Sequence, residues 1–88
     1  MSMADEIREY VRDTRIIPNR AKGCKTVDIR AGDIRDEMNQ KSRPVRIRSS
    51  VVCGALQTKL FNSYADVIWK SNKGPDIGTN CVMNFEIL

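Results

Sequence analysis

The sequence predicts a single α+β domain, residues 1–88, in which three helices and a small antiparallel sheet follow the order α-β-α-α-β-β. Its length of 88 residues suits one modest hydrophobic core. Its 41% hydrophobic and 30% charged residues are typical of a globular chain. Apolar residues recur at helical spacing in three stretches, and strand-forming patterns occupy three shorter ones. Together these observations favour a mixed fold around one three-helix core.

The N-terminal stretch Ser2–Arg15 predicts the first helix. Ser2 can cap its free amides, and Asp5 and Glu6 complement the positive end of the helix dipole. Pro18 is expected to end this helix, since proline lacks an amide hydrogen and clashes with the preceding turn. The residues that repeat at helical spacing are Ile7, Tyr10, Val11 and Thr14. Residues 1–3 are a candidate disordered end.

A strand and a short helix are predicted after a loop over Asn19–Lys25. Apolar and polar residues alternate over Thr26–Arg30, which is the pattern of a strand with one buried face. A helix over Asp33–Met38 follows almost at once, because Ile34 and Met38 lie four residues apart. Acidic residues at its start are expected to serve the free amides of its first turn.

The stretch Arg43–Leu60 predicts the third helix, with Pro44 in its first turn, where a missing amide costs nothing. On a helical projection, a wide apolar arc faces the core and a narrow arc faces outward. The wide arc contains Ile47, Val51, Val52, Ala55, Leu56 and Leu60, and the narrow arc contains Arg43, Arg46, Ser50, Gly54 and Gln57. The sequence leaves an alternative open, in which Pro44 closes a loop and Ser49 caps a shorter helix from Ser50 onward.

Two strands joined by a glycine-containing loop complete the chain. Asn62 and Ser63 are expected to end the third helix, and Tyr64–Lys70 is predicted as a strand because it is rich in aromatic and β-branched residues. Cys81–Ile87 places an apolar residue at every second position and is predicted to pair with the preceding strand as a hairpin. Trp69 is expected to cover the small core.

Positive charge is concentrated around the third helix. The net charge is +4, and no acidic residue occurs between Met38 and Ala65. Arginine at the start of such a helix can contact phosphate or guanine, and the small residues Ser50 and Gly54 would let a backbone come close. Gln57 is expected to pair with adenine. This distribution favours a polyanionic partner.

The sequence contains no recognisable catalytic or metal-binding motif. It has no histidine, no glycine-rich phosphate loop and no G-x-S-x-G segment, and its three cysteines form no C-x-x-C pair. Cys53 and Cys81 are predicted to be buried, and Cys24 is predicted to be exposed. The carboxylates around Asp36 are explained as helix-start residues. We therefore expect no enzymatic activity, no metal and no cofactor.

The order of elements resembles that of winged helix-turn-helix domains of the small prokaryotic type. The region from TVDIRAGDIRDEM to VVCGALQTKLF is similar to their strand and their second and third helices, and DVIWKSNKGPDIGTNCVMNFEIL is similar to their wing hairpin. This resemblance covers nearly the whole chain. It implies that the third helix enters the major groove of DNA through Arg46, Ser50 and Gln57, and that Lys70 and Lys73 on the hairpin contact phosphates.

The expected function is that of a DNA-binding module, such as a small transcriptional regulator or a chromatin-associated protein. The predicted nucleic-acid-binding residues are Lys41, Arg43, Arg46, Arg48, Ser49, Ser50, Gln57, Lys70 and Lys73. Double-stranded DNA is the expected partner, and a homodimer would double a small footprint. A protein-interaction module and an RNA-binding accessory subunit are the alternatives that the sequence leaves open.

We expect a cytoplasmic protein with no membrane segment and no small-molecule ligand. No apolar run approaches the roughly 20 residues that span a bilayer. The N-terminal segment MSMADEIREY lacks the basic start and apolar middle of a secretory signal.

Overall fold

A computed structural model describes residues 2–40 and 46–88 of the chain as an α+β fold with a three-stranded antiparallel sheet. The predicted α+β class is therefore confirmed. The helices are α1 (Met3–Val11), α2 (Ile17–Ala21), α3 (Ala31–Asn39), α4 (Ser49–Leu56) and α5 (Lys59–Ala65), and the strands are β1 (Thr26–Arg30), β2 (Val67–Lys73) and β3 (Val82–Ile87). Within the described ranges, no helix combines the length and the apolar character that a membrane-spanning segment needs.

The start of α1 is capped as the sequence predicts. The hydroxyl oxygen of Ser2 accepts a hydrogen bond from the amide of Asp5 at 3.1 Å, which gives one free amide of the first turn a partner. The carboxylate of Asp5 lies in the same turn, at the positive end of the helix dipole. The hydrogen bonds with Ser2 lower the pKa of Asp5. Ser2 is therefore the N-cap of α1 and Met3 its first residue, and Ile7 and Val11 of the same helix are fully buried. Met1, the other residue of the candidate disordered end, lies outside the described residues.

Pro18 does not end the first helix, contrary to the sequence-based prediction. The backbone stays helical from Met3 to Ala21, through a π-helical turn over Arg12–Ile16 that joins α1 to α2. Proline has no amide hydrogen, and its ring would collide with the carbonyl four residues earlier in a regular α-helix. The wider π turn, in which the amide of Ile17 donates to the carbonyl of Arg12, accommodates the ring without stopping the helix.

Strand β3 lies at the centre of the sheet and pairs antiparallel with both β1 and β2. Burial alternates along it, with Met83 and Phe85 fully buried and the residues between them partly exposed. The helices therefore cover one face of the sheet, and the other face is open to solvent. The predicted strands Thr26–Arg30 and Cys81–Ile87 are confirmed, the second within one residue.

The predicted third helix, Arg43–Leu60, is wrong in its extent. Two separate helices, α4 and α5, occupy the region, because the chain leaves the helical conformation at Gln57 (φ −87°, ψ 53°). Thr58 then caps α5 by accepting a hydrogen bond from the amide of Phe61 at 3.2 Å. The alternative of a shorter helix is close to the structure, except that Ser49 is its first residue and its hydroxyl makes no cap.

The break at Gln57 changes which residues face the core. Leu60, which the helical projection placed on the core side, is 59% exposed, whereas Phe61 is fully buried. The Phe61 ring meets the ring of Phe85 edge to face, with centroids 5.4 Å apart, and so joins α5 to the sheet. The helix continues past Asn62 and Ser63 to Ala65, so β2 begins later than the predicted strand Tyr64–Lys70.

Cysteine burial follows the prediction, and tryptophan burial does not. Cys53 and Cys81 are buried, and Cys24 is exposed. Trp69 is 36% exposed next to a bulge in β2, where its indole nitrogen donates to Asn72 at 2.8 Å. The prediction that Trp69 covers the core is therefore wrong, since the side chain is exposed.

Arginines of the N-terminal helical region hold the other elements together through backbone carbonyls. Arg8 donates to the carbonyl of Ala55 at the end of α4, at 2.9 Å. Arg20 donates to the carbonyl of Ala65 at the end of α5, at 2.7 Å, and to the carbonyl of Leu88 at 3.3 Å. A guanidinium at a helix C-terminus satisfies free carbonyls and complements the helix dipole. These contacts hold α4 against α1 and α5 against α2.

Two glycines in helices provide a matched test of the packing. A Cβ atom at Gly32 would lie 2.6 Å from the Thr79 methyl group and 2.8 Å from the Thr79 carbonyl oxygen, whereas a Cβ atom at Gly54 would meet nothing within 4 Å. We expect Gly32→Ala to lower the free energy of unfolding by about 1–3 kcal/mol through overpacking. Gly54→Ala should raise it by about 0.5–1 kcal/mol through helix propensity. Urea unfolding of both variants measures these effects, and equal signs would contradict the packing around Thr79.

The pH dependence of stability should reflect Glu37, which accepts hydrogen bonds from Tyr10 at 2.6 Å and from Arg15. Burial opposes ionisation of Glu37, but the two hydrogen bonds outweigh it and lower its pKa below 4.5. Its stabilising contribution is therefore fully present above pH 4.5 and is lost as the pH falls through the folded-state pKa. We expect wild type and Glu37→Gln to differ in unfolding free energy at neutral pH and to converge in acid. A difference that stays constant with pH would contradict this assignment.

Candidate nucleic-acid interface

The segment that precedes α4 is held by one asparagine. Asn39, the last residue of α3, donates from its side-chain nitrogen to the carbonyl of Ile47 at 2.9 Å and accepts from the Ile47 amide at 2.8 Å. The side-chain amide thus replaces both partners that a neighbouring strand would supply. As a result, the backbone at Ile47 has a fixed position even though it belongs to no helix or strand.

Side chains alternate on either side of this fixed backbone. Ile47 is 2% exposed and joins the core, whereas Arg46 and Arg48 are exposed. The backbone at Arg48 is extended (φ −102°, ψ 152°), and neighbouring side chains of an extended segment project to opposite sides. Burial of Ile47 therefore turns both arginines outward.

A third arginine connects this region to the hairpin loop, residues 74–81. One terminal nitrogen of Arg35 donates to the hydroxyl of Ser49 at 2.9 Å and to the hydroxyl of Thr79 at 2.7 Å. The carbonyl of Thr79 in turn accepts from the amide of Gly32 at 3.1 Å. The hairpin loop is thus held against the starts of both α3 and α4.

These contacts enclose a shallow, positively charged cleft of about 570 Å³. It is lined by residues of α3, the arginine segment, the start of α4 and the hairpin loop, namely Arg35, Asp36, Asn39, Arg46, Ile47, Arg48, Ser49, Ser50, Gly78 and Thr79. Three arginines and one carboxylate are among these residues, and the carboxylate of Asp36 already pairs with Arg35 at 2.8 Å. Neither Arg46 nor Arg48 forms an ion pair with any residue that the structure describes.

The start of α4 adds a favourable field for anions to this cleft. α4 contains eight residues, and its N-terminal end carries the positive pole of the helix dipole. Ser50 and Gly54 are exposed and one helical turn apart, so they lie on the same outer side of α4, as the sequence predicts. A Cβ atom at Gly54 would meet no neighbour, so another backbone can approach this side.

The remaining predicted site residues lie outside the cleft, lie outside the described residues, or form contacts that stabilise the fold. Lys41 and Arg43 fall outside the described residues. Ser49 lines the cleft but is 7% exposed, with its hydroxyl bound to Arg35. Lys70 and Lys73 lie on β2 and do not line the cleft, and Lys73 pairs with Asp28 at 3.5 Å on the open face of the sheet.

Gln57 does not occupy the groove-facing position that the helical projection predicts. It follows the last residue of α4, at the opposite end from the cleft. Its side-chain nitrogen donates to the carbonyl of Asp76 at 2.9 Å and to the sulfur of Cys81 at 3.5 Å. The helix ends before this residue, so its side chain turns toward the hairpin and ties α4 to it.

Sequence reasoning missed Arg35, Asn39 and Thr79 as residues of the cleft. Arg35 and Asn39 lie in α3, and Thr79 lies in the hairpin loop, so their side-chain hydrogen bonds join residues that are 8 to 44 positions apart. No local pattern signals such contacts. The exception is the terminal position of Asn39, since asparagine at a helix end often binds nearby backbone groups.

Comparison with protein-family models, with curated proteins and with solved structures gives no match. Within residues 2–40 and 46–88, no three cysteine or carboxylate side chains come together as metal ligands.

Asn39 can be tested as the residue that positions the arginine segment. Asn39→Ala removes both hydrogen bonds to a backbone that is nearly inaccessible to water, so we expect a loss of about 1–3 kcal/mol in unfolding free energy. The Ile47 amide should also exchange its hydrogen faster, as measured by native-state hydrogen exchange. Gln40→Ala, at the exposed neighbouring position, is the control. Unchanged protection of Ile47 in Asn39→Ala would show that the segment is held by other means.

Proposed function

We propose that this chain is a DNA-binding module of winged-helix architecture, in which the cleft at the start of α4 contacts the phosphates of a duplex. The supporting layout is the order of a helical region, β1, α3, the α4–α5 region and the β2–β3 hairpin, with β3 between the other two strands. In this interpretation α3 and α4 form the helix-turn-helix, and the hairpin loop beside them is the wing.

The observation that carries this proposal is that Arg46 and Arg48 are exposed and have no carboxylate partner among the described residues. Many arginines of this chain are used internally, as in the contacts of Arg8, Arg20 and Arg35. Arg46 and Arg48, in contrast, are turned outward because Ile47 between them is buried and bound by Asn39. Because the backbone between the two arginines is held beside a helix N-terminus, phosphate binding would cost less backbone entropy.

The outer side of α4 is suited to a close approach to base edges. Ser50 can donate or accept a hydrogen bond, and Gly54 leaves room for the duplex. The exposed arginines precede this side directly, so phosphate contacts would fix its register on the DNA. Gln57 is not part of this proposal, because its side-chain nitrogen binds the hairpin.

Duplex DNA fits the cleft better than a single strand does. Proteins that bind single strands stack the bases on aromatic side chains. None of the described residues that line the cleft is aromatic, and Trp69 lies on β2 outside the lining. A surface that has cations and small polar groups, but no aromatic side chain on which a base can stack, favours contacts with the phosphate backbone of duplex DNA.

The proposal is tested by fluorescence anisotropy with a labelled DNA duplex over a series of salt concentrations. Arg46→Ala should weaken binding and reduce the magnitude of the slope of log K against log salt by about one unit, since each neutralised phosphate contributes about 0.9. The double variant Arg46→Ala/Arg48→Ala should reduce it by about two units.

Lys22→Ala is the charge-matched control, because Lys22 is exposed at the end of α2 and does not line the cleft. Its slope should match that of wild type. Equal slopes for Lys22→Ala and Arg46→Ala would remove the cleft from the interface. A wild-type chain that binds neither duplex, single strand nor RNA at low salt would overturn the function and favour the protein-interaction alternative.

A further inference from the structure

A second surface lies between α1 and α5. It is an apolar groove of about 210 Å³, lined by Asp5, Arg8, Glu9, Leu60 and Tyr64. Leu60 is 59% exposed and Tyr64 is 41% exposed, and both lie on the outer side of α5. Large apolar side chains that are exposed together along one groove are typical of an interaction surface.

The position of these two side chains follows from the helix break at Gln57. Phe61 and Ala65 of α5 face the core, so Leu60 and Tyr64, each one residue earlier, form a ridge along the outer side. The guanidinium carbon of Arg12 lies 4.6 Å from the centre of the Tyr64 ring and holds the ring at the groove. The ridge and the groove beside it are therefore fixed features of one surface.

Two charged side chains at this surface, Lys59 and Glu9, have no ion-pair partner among the described residues, whereas Asp5 and Arg8 pair with each other. Lys59 is exposed next to Leu60, and Glu9 lies on the opposite wall of the groove. The pKa of Arg12 is raised mainly by its hydrogen bond with Asp13. The negative charge of Glu9 also raises this pKa, but without a hydrogen bond to Arg12. The surface thus has a cation, Lys59, beside the ridge and a carboxylate, Glu9, on the groove wall.

We propose that this surface is the self-association face of the chain, and that its partner is a second copy related by a two-fold axis. Leu60 of each copy would enter the groove of the other, and Lys59 of each copy would pair with Glu9 of the other. A two-fold interface must be complementary to itself. This face meets that condition in shape, because it has both a ridge and a groove around an apolar centre. It also meets the condition in charge, because it has both the cation Lys59 and the carboxylate Glu9.

The dimer leaves the DNA cleft of each copy open. The cleft lies at the start of α4, whereas Arg8 of the groove wall donates to the carbonyl of Ala55 near the end of the same helix. An eight-residue helix is about 12 Å long, so the two surfaces lie at opposite ends of α4. The inference does not depend on the proposed DNA binding, although a dimer would present two clefts to two half-sites.

Sedimentation equilibrium of the full chain without DNA tests the dimer. Wild type should approach twice the 10.0 kDa of a single chain as concentration rises. Leu60→Ser should remain near the mass of a single chain over the same range, and thermal unfolding should confirm that this variant is folded. Ile77→Ser is the matched control, because Ile77 is an apolar residue, 64% exposed, in the hairpin loop. Its mass should follow that of wild type.

Charge exchange provides a test that does not alter the apolar ridge. Lys59→Glu alone and Glu9→Lys alone should each weaken dimerisation, because each brings like charges together across the two-fold axis. The double variant should restore it. A wild type that is monomeric at every concentration would overturn the proposal. So would a dimer whose mass resists Leu60→Ser, since another face would then hold it, and so would a double variant that is as weak as the single ones.

Discussion

The contact between Thr79 and the start of α3 sets the relation between the hairpin and the helices. The Thr79 carbonyl accepts from the Gly32 amide, and its hydroxyl binds Arg35, which also holds Ser49 at the start of α4. A side chain at position 32 would collide with Thr79, so close approach requires glycine there. The hairpin loop, α3 and α4 meet at this contact, so the shape of the cleft depends on it.

Two groups of arginines in this chain have different roles, and the difference underlies the proposal of DNA binding. Arg8 and Arg20 donate to carbonyls at the ends of α4 and α5, so they replace water at helix termini and lock the helices to the N-terminal region. Arg46 and Arg48 lie on either side of Ile47, which is buried and bound by Asn39, and both remain exposed to solvent. Net charge alone cannot distinguish these roles, because a guanidinium bound to a carbonyl still counts as +1.

Much of the fold could be predicted from local patterns. The alternation of apolar and polar residues predicted β1 and β3. The capping residue Ser2 predicted the start of α1, and the spacing of Ile34 and Met38 predicted α3. Prediction failed at two positions, one because of the local backbone geometry and one because of a contact with a distant element. The π turn carries the helix past Pro18, and Gln57 leaves the helix in a conformation in which it binds the hairpin. Of the candidate site, Arg46, Arg48 and Ser50 were found from charge and projection, but Arg35, Asn39 and Thr79 were not.

The sequence by itself determined the α+β class, the alternating core face of β3 and the concentration of positive charge before Val51. These follow from side-chain periodicity and composition, which act over a few residues. Only the tertiary structure decided which cations remain exposed, where the helix breaks and which apolar side chains form the ridge at Leu60 and Tyr64. Those outcomes depend on hydrogen bonds and packing between residues far apart in the chain, which no local pattern encodes.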